Sequence, residues 1–287
     1  MFHTIKAMVV VAMGIAFTAT QAQQRPSIPT ESVRSIPAPL PAPPYADYAD
    51  LVIAAPLIVD ATIRDTSRLK PVEAPGLAPG KVRLYVEADV LALIRGTEPL
   101  PPRIGYLLDV PVDAKGRLPV LKKVRVLLFA RNAGPGQLQL VRPDAQRGWT
   151  PGGNELARRI TREVLASDAP PRVTGVGHAF HTVGALPGEG ETQIFLATDS
   201  GRPVSLTIDR TADGTRSWKV ALSDIVDAGA GPPPRDTLLW YRLACSLPAA
   251  LPESSLEGSE AGDATIARDD YGYVRGALGA CDRGDAL

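Results

Sequence analysis

Two histidines are the first candidates for chemistry, because imidazole can act as a base, a metal ligand or a proton carrier. His178 and His181 lie three positions apart in a Gly-His-Ala-Phe-His segment, and the third histidine, His3, falls in a leader-like stretch. On a helix this spacing would place both rings on one face, but the segment is typical of a strand, in which positions i and i+3 face opposite sides. A metal site would also need further ligands. The sequence therefore predicts hydrogen-bonded or surface histidines and no bound metal.

Serine and carboxylate chemistry has weaker local support. The nucleophile elbow Gly-x-Ser-x-Gly is absent, since the near match at 258–262 carries its serine in the wrong position. Glu189, Glu191 and Asp199 lie on or near a glycine-rich loop, and two carboxylates with separated pKa values can perform glycosidase chemistry. Loops are commonly acidic for solubility, however, and only 5% of the chain is aromatic, which leaves little to stack on a sugar. We therefore assign no catalytic residue from the sequence.

Phosphate-binding loops and extended basic surfaces are missing as well. The sequence contains no Gly-x-x-x-x-Gly-Lys-Ser/Thr and no Gly-x-Gly-x-x-Gly after a strand. Lysine and arginine together number 31, equal to aspartate plus glutamate, which disfavours a broad nucleic-acid-binding field. The basic pairs Lys122-Lys123 and Arg158-Arg159 fit a solvated face. Neither a cofactor nor a nucleic-acid partner is expected.

Residues 1–22 have the pattern of a secretory signal peptide. Lys6 supplies the positive charge, an apolar run from Ala7 to Phe17 follows, and Thr20-Gln21-Ala22 places small residues at the cleavage positions. A membrane-spanning helix needs roughly 20 apolar residues, so this run is too short for an anchor. We expect cleavage after Ala22 and a mature protein in the periplasm or outside the cell, with no integral membrane span.

The two cysteines, Cys245 and Cys281, are expected to pair. An oxidising compartment favours a disulfide between them, and the bond would close a loop of 36 residues. The chain-entropy model gives such a loop roughly 3–4 kcal/mol of stabilisation. A redox role normally needs Cys-x-x-Cys spacing or a low-pKa environment, and neither is visible. The sequence therefore predicts a structural disulfide.

The mature chain divides by pattern into a linker and two folded parts. Residues 23–44 carry seven prolines, which lack an N–H and fix φ, so a disordered, proline-rich linker is expected. Residues 45–142 then alternate apolar and polar positions with a period of two. After one or two helical turns at 45–51, strands are expected at 57–64, 81–94, 104–110, 121–130 and 137–141, with Val82, Leu84, Val86, Val124, Val126 and Leu128 inward and Arg125 in solvent. Five strands in about 90 residues predict an OB-like antiparallel barrel.

Residues 154–287 predict an α+β domain. Asn154 can cap a helix that runs to about 166 and turns Arg158, Arg159, Arg162 and Glu163 to water. A strand is expected at 173–182, and strands at 192–198, 203–209 and 216–222 are expected to form a β-meander. Asp236 is expected to cap a short helix in which Trp240 and Tyr241 pack inward, and a last helix is expected at 264–278. The predicted fold class is therefore α+β, with the barrel first and C-terminal helices last.

Two short segments carry a family resemblance. An Ala-Asp-Leu-Val stretch at 49–52 enters the first strand, and a later strand ends in Ile94-Arg95-Gly96, which resembles the start of netrin-like and TIMP-like modules. The resemblance covers residues 45–142 and implies an OB-type barrel and a protein partner. The N-terminal cysteine with which TIMP inhibitors chelate zinc is absent, because the mature chain should begin at Gln23, so that role does not transfer. The remainder resembles only uncharacterised secreted bacterial proteins.

Two functions stay open at this point. One is an exported, non-catalytic binding protein of the bacterial envelope, whose partner is another envelope or extracellular protein. The alternative is a periplasmic hydrolase with its site in residues 170–222. A histidine buried in a concave pocket within reach of a carboxylate would favour the hydrolase, whereas histidines exposed on a convex strand would favour binding.

Overall fold

A computed structural model describes residues 1, 43–222 and 231–283. Apart from Met1, the predicted signal peptide (1–22) lies outside the described residues, and so does nearly all of the predicted linker (23–44). Among the helices that are described, none is both long and apolar enough to cross a membrane.

Five strands close into the predicted barrel. A buried helix, α1 (Tyr45–Ala54), precedes them. The strands are β1 (Leu57–Arg68), β2 (Lys81–Arg95), β3 (Arg103–Pro111), β4 (Arg125–Gly134) and β5 (Gln137–Leu140). Because β1 pairs with both β2 and β4, the strands close in the order β1-β2-β3-β5-β4-β1, and a short sixth strand, β6 (Gln146–Gly148), pairs with β4. This confirms the predicted OB-like barrel at the N-terminal side of an α+β fold.

One strand pair departs from the predicted antiparallel arrangement. β3 and β5 run parallel where Gly105 faces Gln137 and Tyr106 faces Leu138, whereas the other barrel pairs are antiparallel. Strand directions that alternate around a closed ring require an even number of strands. A barrel of five strands must therefore contain a parallel pair, and this barrel is mixed.

The predicted inward face of the barrel is confirmed except at Val124, just before the fourth strand. Val82, Leu84, Val86, Val126 and Leu128 are buried in the barrel interior. Val124 is 37% exposed, so its predicted core position is wrong. Lys123 has a left-handed φ of 69°, and the turn it makes ends just before β4 begins at Arg125. The period of two therefore does not extend back to Val124.

The second half contains the predicted meander and three helices. Helix α2 (Pro151–Leu165) leads into β7 (Val173–Val183), β8 (Gly190–Thr198), β9 (Val204–Arg210) and β10 (Arg216–Ala221). These four strands form one antiparallel sheet in the order β10-β9-β8-β7. Helices α3 (Leu238–Ala244) and α4 (Ala261–Leu278) follow.

The start and the solvent face of α2 differ from prediction. Thr150, not Asn154, caps the helix, because its side chain accepts the Gly153 N–H at 3.0 Å and Pro151 occupies the first turn. Glu163 is half-buried rather than fully exposed. It accepts hydrogen bonds from the Tyr45 hydroxyl at 2.5 Å and from the Leu238 N–H at 3.0 Å. Burial and this carboxylate together raise the pKa of the Tyr45 hydroxyl.

Helices α3 and α4 are held together at their C-terminal ends. Cys245, at the end of α3, and Cys281, just after α4, form a disulfide with Cα atoms 5.1 Å apart, so the predicted pairing is present. The indole of Trp240 donates to the Leu278 carbonyl at 2.9 Å, in keeping with its predicted packing role. Thr237, rather than the predicted Asp236, caps α3 by accepting the Trp240 N–H at 3.3 Å.

A single large core joins the outside of the barrel to the second sheet. Ile58, Leu127 and Phe129 point away from the barrel interior and belong to the same buried cluster as Ile160 of α2 and Ile194 of β8. The described residues from 43 onward belong to one compact unit. The division into domains 45–142 and 154–287 stays a prediction.

Arg125 is outward-facing but is not the freely solvated residue that its position predicts. Its Nε and Nη2 donate to Asp60 at 2.9 and 2.7 Å, and the Asp60 side chain is only 3% exposed. The guanidinium also lies 3.8 Å from the centre of the Trp149 ring. Arg125 therefore neutralises a buried carboxylate.

Replacing Arg125 by alanine should destabilise the protein. Removing one partner of a buried carboxylate leaves that charge uncompensated, so we expect a clear loss in the free energy of unfolding, larger than that of the control variant. Arg64→Ala on the same strand as Asp60 is the control, because it removes an exposed pair with Asp89, and exposed pairs contribute little to stability. Urea denaturation measures both, and equal small losses would contradict the assignment.

Candidate functional site

His181 lies inside the second sheet and contacts a buried hydroxyl. It faces Thr192 across β7 and β8, with Nδ1 at 2.9 Å from the Thr192 Oγ1. The Thr192 hydroxyl donates to Asp270 Oδ2 on α4 at 2.5 Å. A hydroxyl has one hydrogen to donate, so the same oxygen accepts from His181 Nδ1–H. Thr192 and Asp270 have no exposed surface, and His181 is buried.

Two arginines neutralise the buried carboxylate of Asp270. Arg210 reaches it through Nε at 2.8 Å and Nη2 at 2.7 Å, and the Nε of Arg216 lies 3.6 Å away. Both arginines also bind Asp269, at 2.8 and 2.5 Å. Their guanidinium groups, with Arg210 contributing most, lower the pKa of the Asp269 carboxyl. This network fastens α4 to the meander.

The buried network lacks the arrangement of a hydrolytic site. A hydroxyl nucleophile gives its hydrogen to a histidine base while its oxygen faces substrate. Here the Thr192 hydroxyl gives its hydrogen to Asp270 and is sealed from solvent. His181 reaches a hydroxyl rather than a carboxylate directly. The geometry therefore favours a structural role for these residues.

His178 lies on the opposite, solvent-facing side of β7, as the strand spacing predicts. Its ring centre is 5.9 Å from that of Phe180, which in turn is 6.2 Å from that of Phe195 on β8. His178 and Phe195 are exposed and Phe180 is half-buried. We call these three side chains the aromatic row.

A pocket of about 420 Å³ adjoins the aromatic row beneath the β7–β8 hairpin. Phe180 forms part of its wall, and Glu189, Glu191 and Asp209 also line it. Glu189 and Glu191 were the carboxylates that the sequence singled out. Asp199, the third one, lies elsewhere, where its carboxylate accepts the Arg172 N–H at 3.2 Å. The structure therefore brings two of the three predicted carboxylates to one pocket.

A larger groove, of about 720 Å³, lies on the outer face of the barrel. We call it the barrel groove. Its lining includes Arg83, Tyr85, Leu107, Asp109 and Leu140. Arg83 binds Asp109 through Nε at 2.6 Å and Nη2 at 2.8 Å, and the guanidinium lowers the pKa of that carboxyl. The ion pair leaves this part of the groove electrically balanced, beside the half-exposed Leu107.

The barrel groove exists because β5 leaves β3 after two residue pairs. Beyond Gly105 and Tyr106 no described strand pairs with this edge of β3, so the backbone from Leu107 to Pro111 has an open side. Gly105 also lets the Tyr85 ring lie across the strand, since a Cβ there would be 2.1 Å from the Tyr85 hydroxyl oxygen. The Gln137 amide donates to that hydroxyl at 3.1 Å and fixes the ring.

Sequence reasoning did not find the barrel groove. The groove depends on where β5 diverges from β3, which the local alternation of apolar and polar residues does not reveal. Within the ranges 43–222 and 231–283, no group of three or more His, Cys, Asp or Glu side chains is placed to hold a metal ion. The predicted absence of a metal stays a prediction.

No protein-family model matches the chain, and no curated protein does.

Proposed function

We propose that this chain is an exported, non-catalytic binding protein of the bacterial envelope. In this proposal the barrel groove takes an extended segment of another envelope or extracellular protein. The observation that carries it is the groove of about 720 Å³ beside the unpaired side of β3.

The chemistry of the groove fits a polypeptide segment. An open strand edge offers backbone N–H and C=O groups to which an extended chain can add, while neighbouring side chains read alternate residues of that chain. Tyr85 and Leu107 supply aromatic and apolar surface, and the balanced pair of Arg83 and Asp109 supplies polar contacts. OB-type barrels commonly bind ligands on the face of their second and third strands, which is an analogy of fold. The resemblance of residues 45–142 to netrin-like modules supports a protein as the partner.

The compartment is part of the proposal. The disulfide between Cys245 and Cys281 suits an oxidising compartment, since such bonds are rare in the cytosol. The signal-peptide pattern of residues 1–22 supports export to the periplasm or beyond.

Replacing Leu107 by glutamate tests the groove. The new carboxylate would lie beside Asp109 in a groove whose charges are already balanced, so we expect at least a tenfold loss of affinity for the partner captured by mature protein from its own envelope extract. Val72→Glu is the matched control, because Val72 is also exposed and does not line the groove.

Crosslinking locates the contact. A photo-reactive amino acid at position 107 should crosslink the captured protein, and the same group at position 72 should not. Equal crosslinking from both positions, or wild-type capture by Leu107→Glu, would refute the proposed site. Turnover of ester, peptide or glycoside substrates that disappears in His181→Gln would favour the hydrolase instead.

A further inference from the structure

We infer that the solvent face of the meander is a second binding surface, which takes a lysine or arginine side chain from a basic, extended segment of a partner protein. The surface consists of the aromatic row and the adjoining pocket under the β7–β8 hairpin. It is independent of the barrel groove and does not rest on the function proposed for that groove.

The first observation is the group of aromatic side chains on this face. An antiparallel sheet with one face in the core normally carries polar side chains on the other. Here the outer face carries the aromatic row, and Phe195 is 41% exposed. Val183, which lines the adjoining pocket, is 70% exposed. Apolar side chains that lie together at a surface mark an interaction site more often than isolated exposed residues do.

The second observation is uncompensated negative charge in the pocket. Glu189 and Glu191 both line it. Their hydrogen-bond donors are neutral, namely the Leu186 N–H at 3.3 Å and the Gln193 amide at 2.5 Å. No basic side chain within the described ranges forms an ion pair with either glutamate, whereas the third lining carboxylate, Asp209, binds Lys219 at 3.2 Å.

The one arginine in the pocket wall does not offset this charge. Arg210 lines the pocket, but its guanidinium is bound to Asp269 and Asp270 of α4. Its positive charge is therefore already matched by two carboxylates. A cationic group of the partner at Glu189 and Glu191 would therefore give charge complementarity.

The two observations meet at Phe180, which belongs to both the pocket wall and the aromatic row. The face of an aromatic ring attracts a cation, and carboxylates form charge-assisted hydrogen bonds with ammonium or guanidinium groups. A basic side chain in the pocket would meet both. The row continues to His178 and Phe195, beyond the pocket, and gives neighbouring residues of an extended segment a surface to cover. This extent favours a protein segment over a small free amine.

The binding of a model basic peptide tests this surface. Mature protein is titrated into a fluorescein-labelled peptide of six lysines, and fluorescence anisotropy is read at low and at physiological salt. We expect saturable binding that weakens at least tenfold in Glu189→Gln/Glu191→Gln. Phe180→Leu should weaken it several-fold, while Phe180→Tyr should retain it, because the tyrosine ring also attracts cations. A labelled peptide of six glutamates should not bind.

Matched controls separate the pocket from general attraction. Glu98→Gln/Glu257→Gln removes the same charge from two exposed positions outside the pocket and should leave the affinity unchanged. An equal loss in this control, or no loss in Phe180→Leu, would overturn the inference. Displacement of the peptide by calcium at millimolar concentration would also overturn it. Spermine binding that is as tight as peptide binding and is unaffected by Phe195→Ser would do the same.

Failure here is distinguishable from failure of the barrel groove. Leu107→Glu should bind the lysine peptide like the wild-type protein, and Glu189→Gln/Glu191→Gln should still capture the groove partner. Thermal unfolding of every variant verifies that the fold is intact. If a groove variant remained folded but no longer bound the lysine peptide, the two surfaces would not be independent.

Discussion

Asp270→Ala should lower the free energy of unfolding by about 3–5 kcal/mol, the range for removing one partner of a buried ion pair. Asp270 has no exposed surface, and Arg210 and Arg216 lie within 2.7 and 3.6 Å of its carboxylate. Its removal would take away one of the two carboxylates that the Arg210 guanidinium binds, and it would leave the Thr192 hydroxyl without its acceptor. An unsatisfied buried polar group adds its own cost. Urea denaturation of the mature protein measures the loss.

The adjacent carboxylate provides the control for this prediction. Asp269 binds the same two arginines, but its side chain is 59% exposed. Exposed pairs contribute about 0–1 kcal/mol, so Asp269→Ala should cost no more than that. If both variants lost the same small amount, the network around Asp270 would not be what fastens α4 to the meander.

The sequence predicted those parts of the fold that local pattern determines. The alternation in β2 gave its inward residues, and the turn-separated strands of the second half gave the meander in its correct order. The pairing of Cys245 with Cys281 followed from their number and from the expected compartment. In each case a single feature of the sequence, such as the apolar alternation or the number of cysteines, was enough to predict the structure.

Some errors concerned signals that the sequence contains. Thr150 followed by Pro151 is a stronger helix start than Asn154, because proline is preorganised for the first turn. A closed barrel of five strands also cannot be wholly antiparallel, so the presence of a parallel pair could have been deduced from the predicted strand count. Which strands form that pair, and where β5 leaves β3 to open the barrel groove, could not.

Other errors depended on partners far along the chain. Asp60 binds Arg125, and Asp270 binds Arg210, across 65 and 60 positions. Glu163 similarly meets Tyr45 across 118 positions. Nothing local distinguishes these charged residues from solvated ones, because their burial follows from how sheets and helices pack. The candidate surfaces were hidden for the same reason, although the strand pattern correctly placed His178 and His181 on opposite faces.

Removing the disulfide should cost about 3–4 kcal/mol, as the chain-entropy model gives for a loop of this length. The bond joins Cys245 and Cys281, 36 positions apart. In a Cys245→Ala/Cys281→Ala variant, the indole of Trp240 can still donate to Leu278, so the ends of α3 and α4 keep a direct contact in the folded state. The loss should therefore arise mainly from the greater freedom of the unfolded chain.

Reduction of the wild-type protein provides the matched measurement for this variant. Reductant should lower the free energy of unfolding of the wild-type protein by the same ~3–4 kcal/mol and should leave that of the double variant unchanged, because no other cysteine exists in the chain. Urea denaturation with and without reductant measures all four values. A loss below about 1 kcal/mol in both the variant and the reduced wild type would show that the unfolded chain gains little freedom, and that the bond is not the structural disulfide proposed here.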